Sequence, residues 1–210
     1  MIAIFGGTYD PVHHGHLRVA WDASFALGCR VRLVPCHTPP HRAPPVADPQ
    51  QRAEMLKLAL VGQDRLELDT IEVVRGGVSY TVDTLRALRA EYGAIEPIVA
   101  LVGADAFATL PTWRGWHELF ELAHIGVISR PGHDRALDPE FREFVAAREA
   151  DDAAPLRRVP HGKLLRIAVT PLGISSSALR EGVAAGREPR WLVPDAVQRY
   201  IAAFELYGAP

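Results

Sequence analysis

Apolar positions along the chain switch repeatedly between two periods. Ile2 to Phe5 is a short continuous apolar run that stops at Gly6-Gly7, after which Leu17, Ala20, Trp21 and Ser24 recur at helical spacing. The pattern is that of strand, tight turn and helix. Gly28 stops this helix and Val31 to Pro35 supplies a second strand, so the opening stretch is a βαβ unit with parallel strands and a right-handed crossover. Six prolines between Pro35 and Pro49, without periodicity, predict a stiff exposed loop. Asp48 then caps a predicted helix through Leu60, with Pro49 at its first position and Met55, Leu56, Ala59 and Leu60 on its apolar side. Leu66 to Val74 alternates as a strand does, Ser79 or Thr81 can cap a helix to about Tyr92, and Ile98 to Val102 reads as a buried strand. Beyond Trp116 the pattern gives a helix, a strand over Ile125–Ser129, and a charged helix over 138–152 with Phe141, Phe144 and Val145 on one side. A last strand spans Leu164–Thr170, a helix opens at Ile174–Arg180, and a terminal helix covers Pro194–Leu206. This alternation, free of repeats and low-complexity tracts, predicts an α/β fold: a doubly wound parallel sheet with helices on both faces.

Composition narrows what such a sheet can do. At 210 residues, 48% hydrophobic and 23% charged, the chain can bury a sizeable core as one large domain or as one domain carrying a smaller appendage. A net charge of −2 with scattered signs offers no pull toward a nucleic-acid polymer or an anionic membrane, so any polyanion must be held by local geometry, which favours a small ligand. Met1 leads straight into a strand, without a basic leader, a cleavage site or an apolar run approaching ~20 residues, and a cytoplasmic location is expected. Cys29 and Cys36, with six residues between them, make neither a disulfide framework nor a zinc site.

In a sheet of this kind ligands bind beyond the carboxyl ends of the strands, and the turn after the first strand is the usual phosphate site. Gly6 and Gly7 stand there, lacking side chains, so backbone N–H groups can approach phosphate oxygens at the positive end of the next helix. His13 and His16 share one face at the mouth of that helix and can point at a ligand on the turn, whereas His14 should face solvent. Paired imidazoles suit a reaction in which charge grows on a phosphoryl group and its pyrophosphate leaving group. A metal is the competing use of a His-x-x-His pair, but a nearby acidic or cysteine ligand on the same helix is lacking, the spacing is not that of HExxH, and no metal is expected there. Hydroxyls at Ser175, Ser176 and Ser177 with Arg180 one turn on make a second anion site. His37, His117, His124, His133 and His161 show no evident partners and read as structural or solvated.

Gly-Gly-Thr-Tyr-Asp-Pro-x-His-x-Gly-His, from Gly6 to His16, resembles the signature of the HxGH nucleotidyltransferase superfamily. Over nearly its whole length the chain is similar to the nicotinate-nucleotide adenylyltransferase family, whose members join nicotinate mononucleotide to the adenylyl part of ATP. Tyr9 replaces the usual Phe, and Ser177 the usual Thr of an ISSTxxR element that begins at Ile174. The resemblance implies a Rossmann-like core over about 1–172 and a small helical part over about 173–210. It implies catalysis by His13, His16 and Arg180, with ATP held by Gly6, Gly7, Thr8, His13, His16, Arg42, Gly103, Asp105, Ile174, Ser175, Ser176, Ser177 and Arg180. Asp105 would accept from the adenosine ribose, and Arg42, in Pro39-Pro40-His41-Arg42, would belong to a basic lid. Segments around Ser79 to Thr84 and Leu110 to Trp116 match those that surround the pyridine nucleotide, which places Thr8, Tyr80, Thr81, Thr84, Trp113 and Trp116 at the acceptor. Either tryptophan could stack on the pyridine. Mg²⁺ is expected to arrive with ATP. The rival expectations are a related adenylyltransferase taking nicotinamide mononucleotide or phosphopantetheine, and a non-catalytic nucleotide-binding regulator on the same fold. A homo-oligomer is compatible with the sequence.

Overall fold

A computed structural model describes residues 1–40, 43–129 and 136–208. In chain order the elements are β1 (Ile2–Gly7), α1 (His14–Leu27), β2 (Val31–Pro35), α2 (Pro49–Ala59), β3 (Leu66–Leu68), α3 (Ile71–Arg75), α4 (Thr81–Tyr92), β4 (Ile98–Gly103), α5 (Ala104–Ala108), α6 (Trp116–Leu122), β5 (His124–Ser129), α7 (Pro139–Ala146), β6 (Glu149–Ala150), α8 (Ala154–Arg158), β7 (Leu164–Ala168), α9 (Ser176–Ala184) and α10 (Asp195–Ala203). Seven strands pair in the order β3-β2-β1-β4-β5-β7-β6. Every pairing is parallel, with Phe5 opposite Leu33 on one side and Leu101 on the other. The expected doubly wound parallel sheet is the fold of the chain.

Both faces of the sheet are covered, and each carries its own apolar cluster. Ala3, Leu33, Val99, Leu101 and Ile167 face Ala20, Ala23 and Leu27 of α1, Met55 and Leu56 of α2, and Val197 and Ile201 of α10. Ile4, Val34, Ala100, Val102, Ile125 and Val127 face Leu85 and Leu88 of α4, Leu119 of α6, and Phe141 and Val145 of α7. Strands buried on both sides read as continuous apolar runs, and β4 (IVALVG) and β5 (HIGVIS) do so. Gly126 makes that packing possible, since a Cβ there would lie 2.6 Å from Leu101 Cδ2.

Local signals hold where they were strongest. Gly28 closes α1 in the left-handed region at φ 60°. Asp48 caps α2 through the backbone N–H of Gln51, with Pro49 at the first position, and Gln51 returns a bond to the Asp48 N–H. Two expectations need correction. The stretch 66–74 is not one strand: β3 ends at Leu68, Asp69 accepts the Ile71 N–H, and the chain turns into α3. The charged helix expected over 138–152 stops at Ala146, because Glu149-Ala150 adds to the sheet edge beside β7. Ladder bonds to a strand far along the chain there outweigh local helix propensity.

Candidate active site

The strand order reverses at β1 and β4, whose successors depart in opposite directions, and a parallel sheet opens a crevice at such a point. Two cavities occupy it. A larger one of 1020 Å³ is lined by Gly6, Gly7, Thr8, His13, His16, Gly103, Asp105, Ile174, Ser175, Ser176, Ser177 and Arg180. Of the residues expected to hold ATP only Arg42 is not among them, and it lies outside the described residues. A second cavity of 600 Å³ is lined by Thr8, Tyr80, Thr81 and Trp113, together with Pro39, Pro40, Cys36 and Glu72. Gly6, Gly7, Thr8, Gly103 and Asp105 line both, so the two spaces meet over the ends of β1 and β4.

The histidine turn has an internal logic that the sequence only outlines. His13 caps α1: its Nδ1 accepts the His16 N–H, and the His16 Nδ1 accepts the His13 N–H, each at 3.3 Å. Ser/Thr with Glu/Gln normally form this reciprocal arrangement. As acceptors both Nδ1 atoms are unprotonated, which places each ring proton on Nε2 as a donor. The rings stack at 3.7 Å. Burial pushes the His13 imidazole down to about 4, against the opposing pull of its own backbone hydrogen bond, so it is neutral near pH 7. Gly15 has to be glycine, because a Cβ would come within 2.9 Å of the His13 ring. At Gly7 the obstacle is Tyr9, whose ring would lie 2.8 Å away. His14 is half-buried, and its backbone N–H donates to the Leu192 carbonyl.

On the far side of the larger cavity Ser175 caps α9 through the Ala178 N–H. Ser176 donates to the Pro11 carbonyl and Arg180 to the Asp10 carbonyl, which fixes α9 against the histidine turn. Asp105 stands in the first turn of α5, at the point where the cavities meet.

Around the second cavity the helix α4 begins at Thr81 with Tyr80 as its N-cap, and no side chain caps it among the described residues. Ser79, one of the expected caps, instead accepts the His37 N–H. Arg114 lies over the Tyr80 ring, 4.8 Å from its centroid. Trp113 is on the cavity wall. Trp116 is not: it packs on His117, Phe141 and Phe144. Thr84 also lies away from the wall, buried, with its hydroxyl on Glu72 at 2.6 Å.

Two groups that shape the site, and a buried histidine at the opposite end of the sheet, carry no local signal. Arg52 is fully buried, and its guanidinium donates to the carbonyls of Thr8, His37 and Ala47, tying the phosphate turn to the loop after β2. Glu72 is buried at the second cavity, and burial raises its carboxyl above the usual range despite bonds from Thr84 and Ser79. His124, one of the histidines without an evident partner, is fully buried, with Nε2 on the Val159 carbonyl and Nδ1 accepting from Lys163 N–H. A buried charge such as Arg52 signals itself in sequence only as an arginine on the apolar side of a helix, beside Met55 and Leu56.

A glycine turn with its histidine cap and a serine-capped helix start facing one crevice is an arrangement suited to a nucleotidyltransferase. The chain belongs to the cytidylyltransferase-like family, whose model matches residues 4–182. Within it, the chain groups with the nicotinate-nucleotide adenylyltransferases. It is 49% identical to a protein of Marinobacter nauticus named probable nicotinate-nucleotide adenylyltransferase, over 100% of this chain and 97% of that one. A protein of the same name from Hahella chejuensis is 46% identical over 99% of this chain and 96% of its own length. Among solved structures, the nicotinic acid mononucleotide adenylyltransferase of Plasmodium falciparum, complexed with NaAD, has the same fold (TM-score 0.74, 18% identity, 100% of this chain and 98% of that one). No helix among the described residues is long and apolar enough to cross a membrane.

Proposed function

We propose that the chain transfers the adenylyl group of ATP to the 5′-phosphate of nicotinate mononucleotide, forming nicotinate adenine dinucleotide and pyrophosphate. The observation that carries this is the pair of cavities joined at Gly7, Thr8, Gly103 and Asp105, one walled by phosphate donors and the other by an indole and an uncapped helix start. An oxygen of the acceptor phosphate attacks the α-phosphorus in line. The bond from that phosphorus to the bridging α–β oxygen breaks, and pyrophosphate leaves with its electron pair. Both reactants are polyanions, so the protein works by position and electrostatics, without a covalent intermediate. Mg²⁺ enters as part of the nucleotide substrate.

His13 and His16 present Nε2–H donors to the α- and β-phosphate oxygens, where charge increases in the transition state. Arg180 and the α9 start, with Ser176 and Ser177, hold the departing pyrophosphate end, and Asp105 accepts from the ribose. Trp113 stacks on the pyridine. The N–H groups at the start of α4, which no side chain caps among the described residues, receive the nicotinate carboxylate, which is all acceptor, better than a carboxamide, which turns a donor toward them. The names of the relatives support the same acceptor.

Purified protein given MgATP with nicotinate mononucleotide, nicotinamide mononucleotide or phosphopantetheine in turn, and followed by pyrophosphate release, tests the proposal. Nicotinate mononucleotide should be favoured about a hundredfold in kcat/KM. Equal or faster turnover with either other acceptor would overturn the acceptor assignment. ATP binding without acceptor-dependent pyrophosphate would overturn catalysis itself.

A further inference from the structure

We propose that Asp10 is a positioning residue for the ATP cavity and that Tyr207 is its strut; the inference rests on the assignment of the larger cavity to ATP. Asp10 follows the glycine turn and is 3% exposed. Its Oδ2 accepts the Val46 N–H at 2.8 Å, and its Oδ1 accepts both the Ala47 N–H at 3.1 Å and the Tyr207 hydroxyl at 2.8 Å. Arg180 Nη1 lies 3.7 Å from Oδ2 and donates to the Asp10 backbone carbonyl at 2.6 Å. Segments 36, 170 and 197 residues away along the chain thus converge on one residue.

Each convergent segment bears on the cavity. Ala43, Pro44 and Pro45, just before the two anchored N–H groups, form part of its wall, and so does Arg180. The described contacts of the guanidinium pass through Nη1 alone, so Nη2 and Nε keep donor capacity on the cavity wall. Tyr207 is buried, and its backbone sits at φ 63°, a left-handed conformation that costs a residue with a side chain about 1 kcal/mol. The hydroxyl bond to Asp10 is what this strained turn delivers.

A carboxylate on the wall of a triphosphate site repels the ligand directly, so Asp10 cannot serve as a phosphate contact. Its two N–H donors, the phenol and the guanidinium offset its charge, and in exchange it fixes the loop wall and the direction of Arg180. The second cavity contains neither residues 43–47 nor Arg180. Disturbing Asp10 or Tyr207 therefore acts on ATP and spares the acceptor.

The test is calorimetric titration of the whole chain with MgATP alone and with nicotinate mononucleotide alone, for wild type, Asp10→Asn and Tyr207→Phe. Tyr207→Phe keeps the ring packing and serves even where Asp10→Asn does not fold. Tyr207→Phe should weaken MgATP binding about fivefold to tenfold and Asp10→Asn more, with acceptor affinity within about twofold of wild type. The effects of Tyr207→Phe and Arg180→Lys on MgATP should combine to less than their product, since both act through one guanidinium. MgATP affinity within about twofold of wild type in the variants overturns the inference, as does a parallel loss for both nucleotides, the mark of general loosening. A wild-type chain that binds no MgATP overturns this inference together with the adenylyl-transfer proposal. Normal wild-type binding with unaffected variants overturns this one alone.

Discussion

Replacing His16 with alanine separates what the imidazole does for the helix from what it does for the reaction. On the structural side, the His13 N–H loses its acceptor at 3.3 Å, a capping loss of about 1 kcal/mol. The stack on His13 at 3.7 Å and the edge contact with Tyr9 at 5.0 Å also disappear, for about another 1 kcal/mol. A loss of about 2 kcal/mol leaves a domain of ordinary stability folded. On the chemical side, the variant lacks one Nε2–H donor to the developing charge, which costs about 3–4 kcal/mol in the barrier, or roughly a hundred- to thousandfold in kcat. Steady-state pyrophosphate release at saturating substrates reads the second quantity and urea denaturation the first. His16→Gln should recover most of the stability, because glutamine makes the reciprocal cap at this helix position just as Gln51 does in α2, while kcat stays depressed. A folded His16→Ala variant turning over within about tenfold of wild type would refute the assignment of His16 to the transition state.

Acid should weaken the fold through two histidines. His13 and His124 are held at about 4, below the 6.5 of the unfolded chain, so the unfolded state binds the extra protons; stability is full above pH 6.5 and is lost as the pH falls toward 4. Between pH 7 and pH 5 each contributes a loss of about 2 kcal/mol, and urea midpoints that stay constant over this range would contradict the neutral-imidazole geometry. Trp113→Ala should raise KM for the pyridine nucleotide about tenfold and leave KM for ATP unchanged, whereas Trp116→Ala, cut from an aromatic cluster, should lower Tm and leave the KM for the pyridine nucleotide nearly unchanged; the reverse pattern would reassign the stacking residue. Arg52→Met should cost about 3–5 kcal/mol in urea unfolding by stranding the buried Ala47 carbonyl and the partly buried carbonyls of Thr8 and His37, and a loss below about 1 kcal/mol would show that they find other donors.

What could be read from sequence was what one segment determines alone. Gly7, Tyr9, His13, Gly15 and His16 form a chain of mutual constraints within ten residues, and Ser175 to Arg180 lie within six, so both turns are local objects with local signatures. The strand pattern was legible for the same reason: β4 and β5 are central strands whose burial on both faces writes a continuous apolar run. At the sheet edges this fails. Glu149-Ala150 pairs with β7 at a position where its own residues favour helix, and Ile71, Val73 and Val74 fit a strand as well as they fit α3. Partners brought together by the fold were the least legible. Asp10 meets Tyr207 across 197 residues, Arg52 meets Thr8 across 44, and Trp113 is distinguished from Trp116 only by which of them the helix α6 turns toward Phe141 and Phe144.

The neutrality of His13 bears on how the proposed reaction could turn over. A site built of fixed cations would hold ATP, the transition state and pyrophosphate with similar strength, and tight uniform binding raises affinity without raising kcat. A neutral Nε2–H donor, fixed by the cap between His13 and His16, interacts weakly with an oxygen of modest charge and more strongly as that charge grows. The full cation that the described residues place in the larger cavity is Arg180, and part of its charge is already engaged by Asp10. The cavity is thus biased toward the moment of charge transfer to the leaving pyrophosphate and away from retention of the product. Lysine or arginine at position 13 would invert that bias: MgATP and pyrophosphate would bind more tightly while kcat fell, and a variant of this kind with weaker pyrophosphate inhibition than wild type would be incompatible with the argument.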